Sequence, residues 1–473
     1  MNREPSLDAL RGLAIIGMVL SGSIAFGGVL PAWMYHAQVP PPLHQFDPTL
    51  PGITWVDLVF PFFLFSMGAA FPLALRAAID QQRSSMHFFG LAAKRFFMLA
   101  FFALFTQHLK AWVIAPAPGT KEQWYSLLAF LLLFGIFLNV PQKKYASYAA
   151  WIKAVSFAVA VLLLTQLPFH NGTGFNLYKS DIILMVLANM AFFGSFIYAH
   201  TANRPLLRLL VLPAVAAIIV SSRENSSSWV KNFFYFNELA GYKFDWLYKF
   251  YFLKYLFIVI PGTLAGEWMM QPSWKQTGSL PLGTRLLYGG VVGSLLIGLL
   301  FLLLYRTHPV ALRGGGVWVL YVTCGAILLK VVQEHSGAVT FRQMVQAGLF
   351  LLLLGLLLEP YEGGIKKDPS TFSYYFICSA LAFLLLPLLL MLLEMRIIGR
   401  MLGFLSDVGK NPMLAYVAGA LLILPILSLT GLKSYWESLT QTPLQGFVKG
   451  LLFTTAVVLI TRFSVKKKWF WKT

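Results

Sequence analysis

LAFLLLPLLLMLL, residues 381–393, decides the fold. It is apolar without alternation and carries no charge. LFLLLLGLLL at 349–358 has the same character. A strand of an outer-membrane barrel alternates apolar and polar side chains, and these runs do not. They read as helices that face apolar surroundings on every side. Working outward from them, the chain repeats the pattern at 10–30, 55–79, 91–113, 125–140, 150–167, 182–199, 206–221, 249–269, 286–304, 316–332, 343–358, 373–393, 410–430 and 445–463. Each is close to the roughly 20 residues that cross a bilayer. Lipid offers the backbone no hydrogen-bond partner, so helices are the expected spanning element.

Composition agrees. Of the 473 residues 58% are hydrophobic and 12% charged, against roughly 25% charged in soluble domains. The expectation is an all-α polytopic transmembrane bundle of about 10–14 spanning helices with no sizeable soluble domain. It forms a single domain over 1–473, with motif regions at 1–80 and 359–473 and a variable middle at 81–358. The first apolar run is too long for a cleavable signal core and reads as the first membrane helix. The longest hydrophilic connection, 221–249, holds a Ser/Asn-rich stretch and then Phe233–Phe236, suited to lie at the interface.

The net charge is +19. In a soluble chain this would raise nucleic acid, but here basic residues mark the cytoplasmic loops. Alternate loops hold Arg76 and Arg83, then Lys143 and Lys144, then Arg204 and Arg208, then Arg396 and Arg400, and finally the Lys466–Lys468 tail. Both termini are then cytoplasmic. The 31–54 loop has no Lys or Arg and is external. No nucleic-acid partner is expected. Cys324 and Cys378 both lie in apolar runs and imply neither a disulfide framework nor a metal site. No Walker or G-x-G-x-x-G motif is present, which argues against a nucleotide-driven pump.

Polar chemistry gathers at a few junctions. The 31–54 loop carries His36, His44 and Asp47 among Pro31, Pro40, Pro41, Pro42, Pro48 and Pro51, and Asp57 follows one turn into the second helix. Proline fixes φ and restricts its neighbour, so the loop is a stiff holder for side chains. A membrane-embedded acid costs roughly 2.5–3.5 kcal/mol and calls for a partner or a wet cavity. A satisfied helix cap with solvated histidines is the plain alternative. Asp8 and Arg11, three apart, suit one helix face as an ion pair or a membrane anchor. Lys366 and Lys367 follow a Gly pair and precede a helix start at Ser370 or Ser373, forming a cationic lip on the side of His44 or a solvated turn. Lys410 and Asn411 precede Pro412 at a cytoplasmic helix start, which is ordinary capping or a phosphate-facing end.

SLDALRGLAIIGMVL (6–20), GITWVDLVFPFFLFSMG (52–68), GGIKKDPSTFSYYF (363–376), GKNPMLAYV (409–417) and the ending KKKWFWKT, in this order, resemble the transmembrane acyltransferases related to heparan-α-glucosaminide N-acetyltransferase. The chain looks like a bacterial relative, in an inner membrane. The resemblance implies acetyl-CoA as co-substrate, no metal, and an amino sugar or glycan acceptor on the external side. It also implies a homodimer. The family's active-site histidine lies before the VDLVFP motif and best corresponds to His44, with His36 the competitor and Asp57 or Asp47 as its partner; it acts as general base for direct transfer or as an acetyl carrier. Asp8, Arg11, Lys410 and Asn411 are the expected cofactor contacts. Asp47, Lys366, Lys367 and Ser373 are the expected substrate contacts. Where the family often has Asn near the end of the first helix, this chain has Ser21 and Gly22. The other class considered is a transporter or flippase for a glycan or lipid-linked precursor, which predicts inverted repeats. None is visible.

Overall fold

The computed structural model describes residues 4–139, 146–222, 229–304 and 310–473. Lys143, Lys144 and most of the Ser/Asn-rich stretch after Ser222 lie outside the described residues. Among the described residues twelve helices are long and apolar enough to cross a membrane, including Pro5–Ser23, Trp55–Asp80, Ser85–His108, Ile182–Thr201 and Phe372–Leu393. The chain is an all-α polytopic bundle and an integral membrane protein. Two more of the expected segments are helical but fall outside that set. Thr120–Phe137 opens on the polar turn TKEQWYS, and Pro205–Ser221 has 17 residues. The strands are two short antiparallel pairs among the described residues.

The first helix departs from its expected span. It runs Pro5–Ser23, with Pro at its start, where pyrrolidine costs no hydrogen bond. It stops where Ile24 turns extended, at ψ 160°, and Gly27 and Gly28 beyond it take φ of +88° and +81°. The apolar residues beyond it serve the following loop instead. Ile24, Leu30, Met34 and Tyr35 form a small core there, with Leu20 and Trp55 packed against it.

The chain divides into two compact units. The first comprises 1–81, 257–409 and 440–451; the second comprises 82–256, 410–439 and 452–473. In the first unit, helices meet backbone to backbone. A Cβ on Gly12 would stand 1.9 Å from the Leu405 carbonyl oxygen, and one on Gly409 1.8 Å from that of Asp8. Gly262 and Gly266 approach the carbonyls of Phe65 and Ala69 in the same way, at 2.4 and 2.2 Å. Lipid tails are as apolar as leucine, so membrane helices associate through close packing, which small residues permit.

In the second unit, Asn411 is fully buried and holds the tail. Its amide nitrogen donates to Ser464 Oγ at 3.1 Å and to the Trp469 carbonyl at 2.8 Å. Its carbonyl accepts from Trp471 N at 3.1 Å. The tail strand Phe470–Trp471 then pairs with Leu138–Asn139.

Candidate active site

The site lies within the first unit and grows from the start of the second helix. Thr54 is the extended N-cap of Trp55–Asp80, and Asp57 is its third residue. The Asp57 carboxylate reaches back to Thr54 N at 3.0 Å, half of a capping box. Oδ2 also accepts from Ala37 N at 3.2 Å. The Thr54 hydroxyl lies 2.8 Å from the Tyr35 carbonyl and 3.0 Å from Asp57 Oδ2, with one proton to give. The carboxylate is 2% exposed. Such burial is tolerable because each oxygen is hydrogen-bonded.

Pro61 stands four residues after Asp57 and has no N–H, so the Asp57 carbonyl lacks its helical partner. Tyr374 supplies one. Its buried hydroxyl donates to that carbonyl at 2.8 Å. The second helix is thereby fastened to Phe372–Leu393 at the residue that carries the acid.

The partner of Asp57 is His36. Nδ1 lies 2.7 Å from Asp57 Oδ1, and the imidazole side chain is 37% exposed. A carboxylate accepts only, so Nδ1 carries the proton and Nε2 presents its lone pair. Lys367 Nζ stands 3.3 Å from Nδ1 and 3.4 Å from Nε2. A point equidistant from both ring nitrogens and in the ring plane would fall against Cε1. The ammonium therefore lies over the ring face, and the in-plane lone pair of Nε2 is left to a ligand.

The loop that carries Lys367 is built to deliver it. Glu362 caps the helix beyond, accepting from Phe372 N and Ser373 N at 2.8 Å each. Thr371 Oγ1 accepts from Lys366 N at 3.1 Å, and Ser373 Oγ donates to Thr371 Oγ1 at 2.9 Å. Gly364 has φ +99°, and a Cβ there would sit 2.3 Å from Pro51 Cβ. Gly52 N donates to the Ile365 carbonyl at 2.7 Å. Gln38 binds the Asp368 backbone twice, donating to its carbonyl at 2.6 Å and accepting from its N–H at 2.9 Å. Burial pushes the Lys367 ammonium below the ordinary lysine range, and Asp57 works against that shift.

The expected site residues divide accordingly. His36, Asp57 and Lys367 come together. His44 stands apart from the carboxylate. It takes φ +50°, an uncommon conformation for a residue with a Cβ. Its ring packs edge-on against Phe26 and Tyr35, at 5.0 and 4.4 Å between centroids. Nε2 accepts from Gly28 N at 3.4 Å, and Nδ1 is buried without a hydrogen bond. It is a wedge behind Tyr35, whose hydroxyl donates to the Ala25 carbonyl. Asp47 folds onto Thr49 N and Oγ1 at 2.8 and 2.6 Å, a local turn. Ser373 belongs to the helix cap, and the Lys366 backbone to the same cap. Asp8 and Arg11 form their ion pair at 3.1 Å. Arg11 also reaches the carbonyls of Gly409 and Ser66, at 3.4 Å each. Asn411 has both amide hydrogens committed to the tail. Gln38, Thr54, Glu362 and Tyr374 were not foreseen. Thr54-x-x-Asp57 is a capping pattern that could have been read; Gln38 carries no sequence signal.

The model of the family described as "Domain of unknown function (DUF5009)" matches residues 3–269, more than half the chain. The chain belongs to the DUF5009 family. No curated protein matches it. The matched region of this DUF5009 member contains His36, Gln38, Thr54 and Asp57; Lys367 lies beyond it.

Proposed function

We propose that the protein is a membrane-embedded acyltransferase that moves an acetyl group from acetyl-CoA to an amino sugar or glycan acceptor, with His36 as general base. The observation that carries this reading is the Asp57–His36 contact of 2.7 Å beside an ammonium. Asp57 fixes the tautomer and stabilises the imidazolium that forms. Nε2 takes the proton from the acceptor amine or hydroxyl as that group attacks the thioester carbonyl carbon. The C–S bond breaks, and the imidazolium returns the proton to the departing thiolate. Lys367 meets the negative charge that develops on the carbonyl oxygen. Histidine suits this work because its ordinary pKa is near neutral. The resemblance of the quoted motifs to the N-acetyltransferase family supports the same reaction. It also supports a bacterial inner membrane and acetyl-CoA entering from the cytoplasm, and the basic residues of alternate loops support cytoplasmic termini.

The test uses purified protein in nanodiscs with acetyl-CoA and glucosamine, following thiol release and acetylated product. Asp57→Asn keeps the shape but removes the charge that orients the ring. We expect it to lower kcat by about 10²–10⁴-fold, the usual worth of a positioned base. Turnover equal to wild type in that variant would sink the dyad. An absence of any acetyl transfer, with no thermal stabilisation by CoA, would turn the reading toward the transporter class.

A further inference from the structure

Two loops distant in sequence meet at the site, and one side chain joins them through paired hydrogen bonds. Gln38 is 4% exposed. Its amide donates to the Asp368 carbonyl at 2.6 Å and accepts from the Asp368 N–H at 2.9 Å. This is the two-bond pattern of a strand pair, made by a side chain. The next residue back along the loop is Lys367. Two residues before Gln38 is His36. The amide thus ties the ammonium-bearing backbone to the imidazole-bearing backbone at one fixed spacing.

Lys367 needs such a tie. Lysine has a long, freely rotating stem, and left to itself would seek water. Its facing charged and titratable groups are Asp57 on the second helix, His36 on the 31–54 loop, Asp368 on its own loop and Cys378 on Phe372–Leu393. None of them makes an ion pair with Lys367 within 4.0 Å among the described residues, and its contacts with His36 are long, at 3.3 and 3.4 Å, so the backbone that carries it helps to set its direction.

We propose that Gln38 is a positioning residue of this site: it clamps Asp368 so that Lys367 stands over His36. The proposal rests on the acyltransferase reading for its kinetic consequence, but the clamp can be tested without it. Without Gln38 the dyad persists, because the bonds of Asp57 to His36, Ala37 and Thr54 do not pass through the amide. What is lost is the placement of the ammonium. The predicted signature is a fall in kcat with the KM for acetyl-CoA unchanged.

Four measurements decide it. Amide exchange at Asp368 should quicken about tenfold in Gln38→Ala, the equivalent of one net hydrogen bond. Gln38→Glu, which when ionised still accepts from the Asp368 N–H but no longer donates to its carbonyl, should fall between. The kcat of Gln38→Ala should drop about tenfold, and Gln38→Ala combined with Lys367→Met should be no slower than Lys367→Met alone, as for two residues acting through one contact. Multiplying losses, or a wild-type kcat in Gln38→Ala despite faster exchange, would overturn the proposal. Lastly, the lysines can be ¹³C-dimethylated and titrated by NMR, with the Lys367 signal identified by its absence in Lys367→Met. Gln38→Ala should move that titration to higher pH as the amine returns to water. This readout stands even if no acetyl transfer is found, which would refute the enzyme reading and not the clamp. An unmoved titration would refute the clamp itself.

Discussion

His36 and His108 are the same residue type in the two units, put to opposite uses. His108 is fully buried. Its Nδ1 lies 2.8 Å from the Leu104 carbonyl, its Nε2 accepts from Asn176 N at 3.3 Å, and its ring packs against Phe169 and Phe175. Both nitrogens are spent on the fold. His36 spends one nitrogen on a buried acid and keeps the in-plane lone pair of the other, with a cation over its face and the side chain 37% exposed. A satisfied polar group stabilises; a half-satisfied one beside a charge pair is equipped for chemistry. The difference lies in what each ring nitrogen has left over, and not in burial alone.

The largest effect that could break this comparison is on turnover. His36→Ala should lower kcat by about 10²–10⁴-fold, and it also costs stability, because the buried Asp57 Oδ1 loses its partner at 2.7 Å. His108→Ala should cost stability alone, about 1–3 kcal/mol through its lost hydrogen bonds, with kcat intact. Paired assays of acetyl transfer and thermal unfolding would check both. Interchanged phenotypes would mean that the wrong histidine has been assigned to chemistry.

A second contrast is smaller and concerns Asn411. Its amide ties Ser464, Trp469 and Trp471 together. Asn411→Ala takes the acceptor from the Trp471 N–H and one of two donors from the Trp469 carbonyl, which keeps Ser464 Oγ at 2.7 Å; the loss costs about 1–3 kcal/mol. Unfolding in detergent should show that loss, and the KM for acetyl-CoA should not move. A raised KM at unchanged stability would restore Asn411 as a cofactor contact and blur the line between scaffold and site.

The bundle was legible because its cause is local. Apolar runs such as 349–358 need no tertiary information to be read as membrane helices. The end of the first helix was less so: Ile24–Leu30 is as apolar as a helix, but the chain turns extended at Ile24 and the segment serves as loop core. At the site, Asp57 was legible as an expensive acid in need of a partner. Its partner was not. His36 and His44 share one loop, and the choice between them depends on how a proline-rich segment folds back over the Thr54 cap. Lys367 stood out as a cation on the expected external side. Its companion Gln38 did not, because a glutamine 330 residues away in sequence announces nothing. Asn411 reads two ways for a related reason. A polar residue before a helix proline looks like a ligand-facing end, and only the tertiary path of the tail shows its amide already committed.

The smallest effect sharpens the comparison on its electrostatic side. Burial holds the Lys367 ammonium below the ordinary lysine value of 10.5, with Asp57 opposing. As the proposed partner of the developing oxyanion, Lys367 works only when protonated. Wild-type kcat should therefore fall on the alkaline side before pH 10.5, as the buried ammonium gives up its proton. Lys367→Arg keeps a charge that no accessible pH removes, so its alkaline fall should move upward even though the broader guanidinium lowers kcat near neutrality. Stability has its own sign. Between the lowered value and 10.5 the unfolded chain binds more protons at this residue than the folded one, so stability rises with pH across that window. Relative to Lys367→Met, the wild-type melting temperature should gain as pH rises there. If wild type and Lys367→Arg lose activity at the same alkaline pH, the titrating group is not Lys367, and the cation over His36 serves the fold as His108 does.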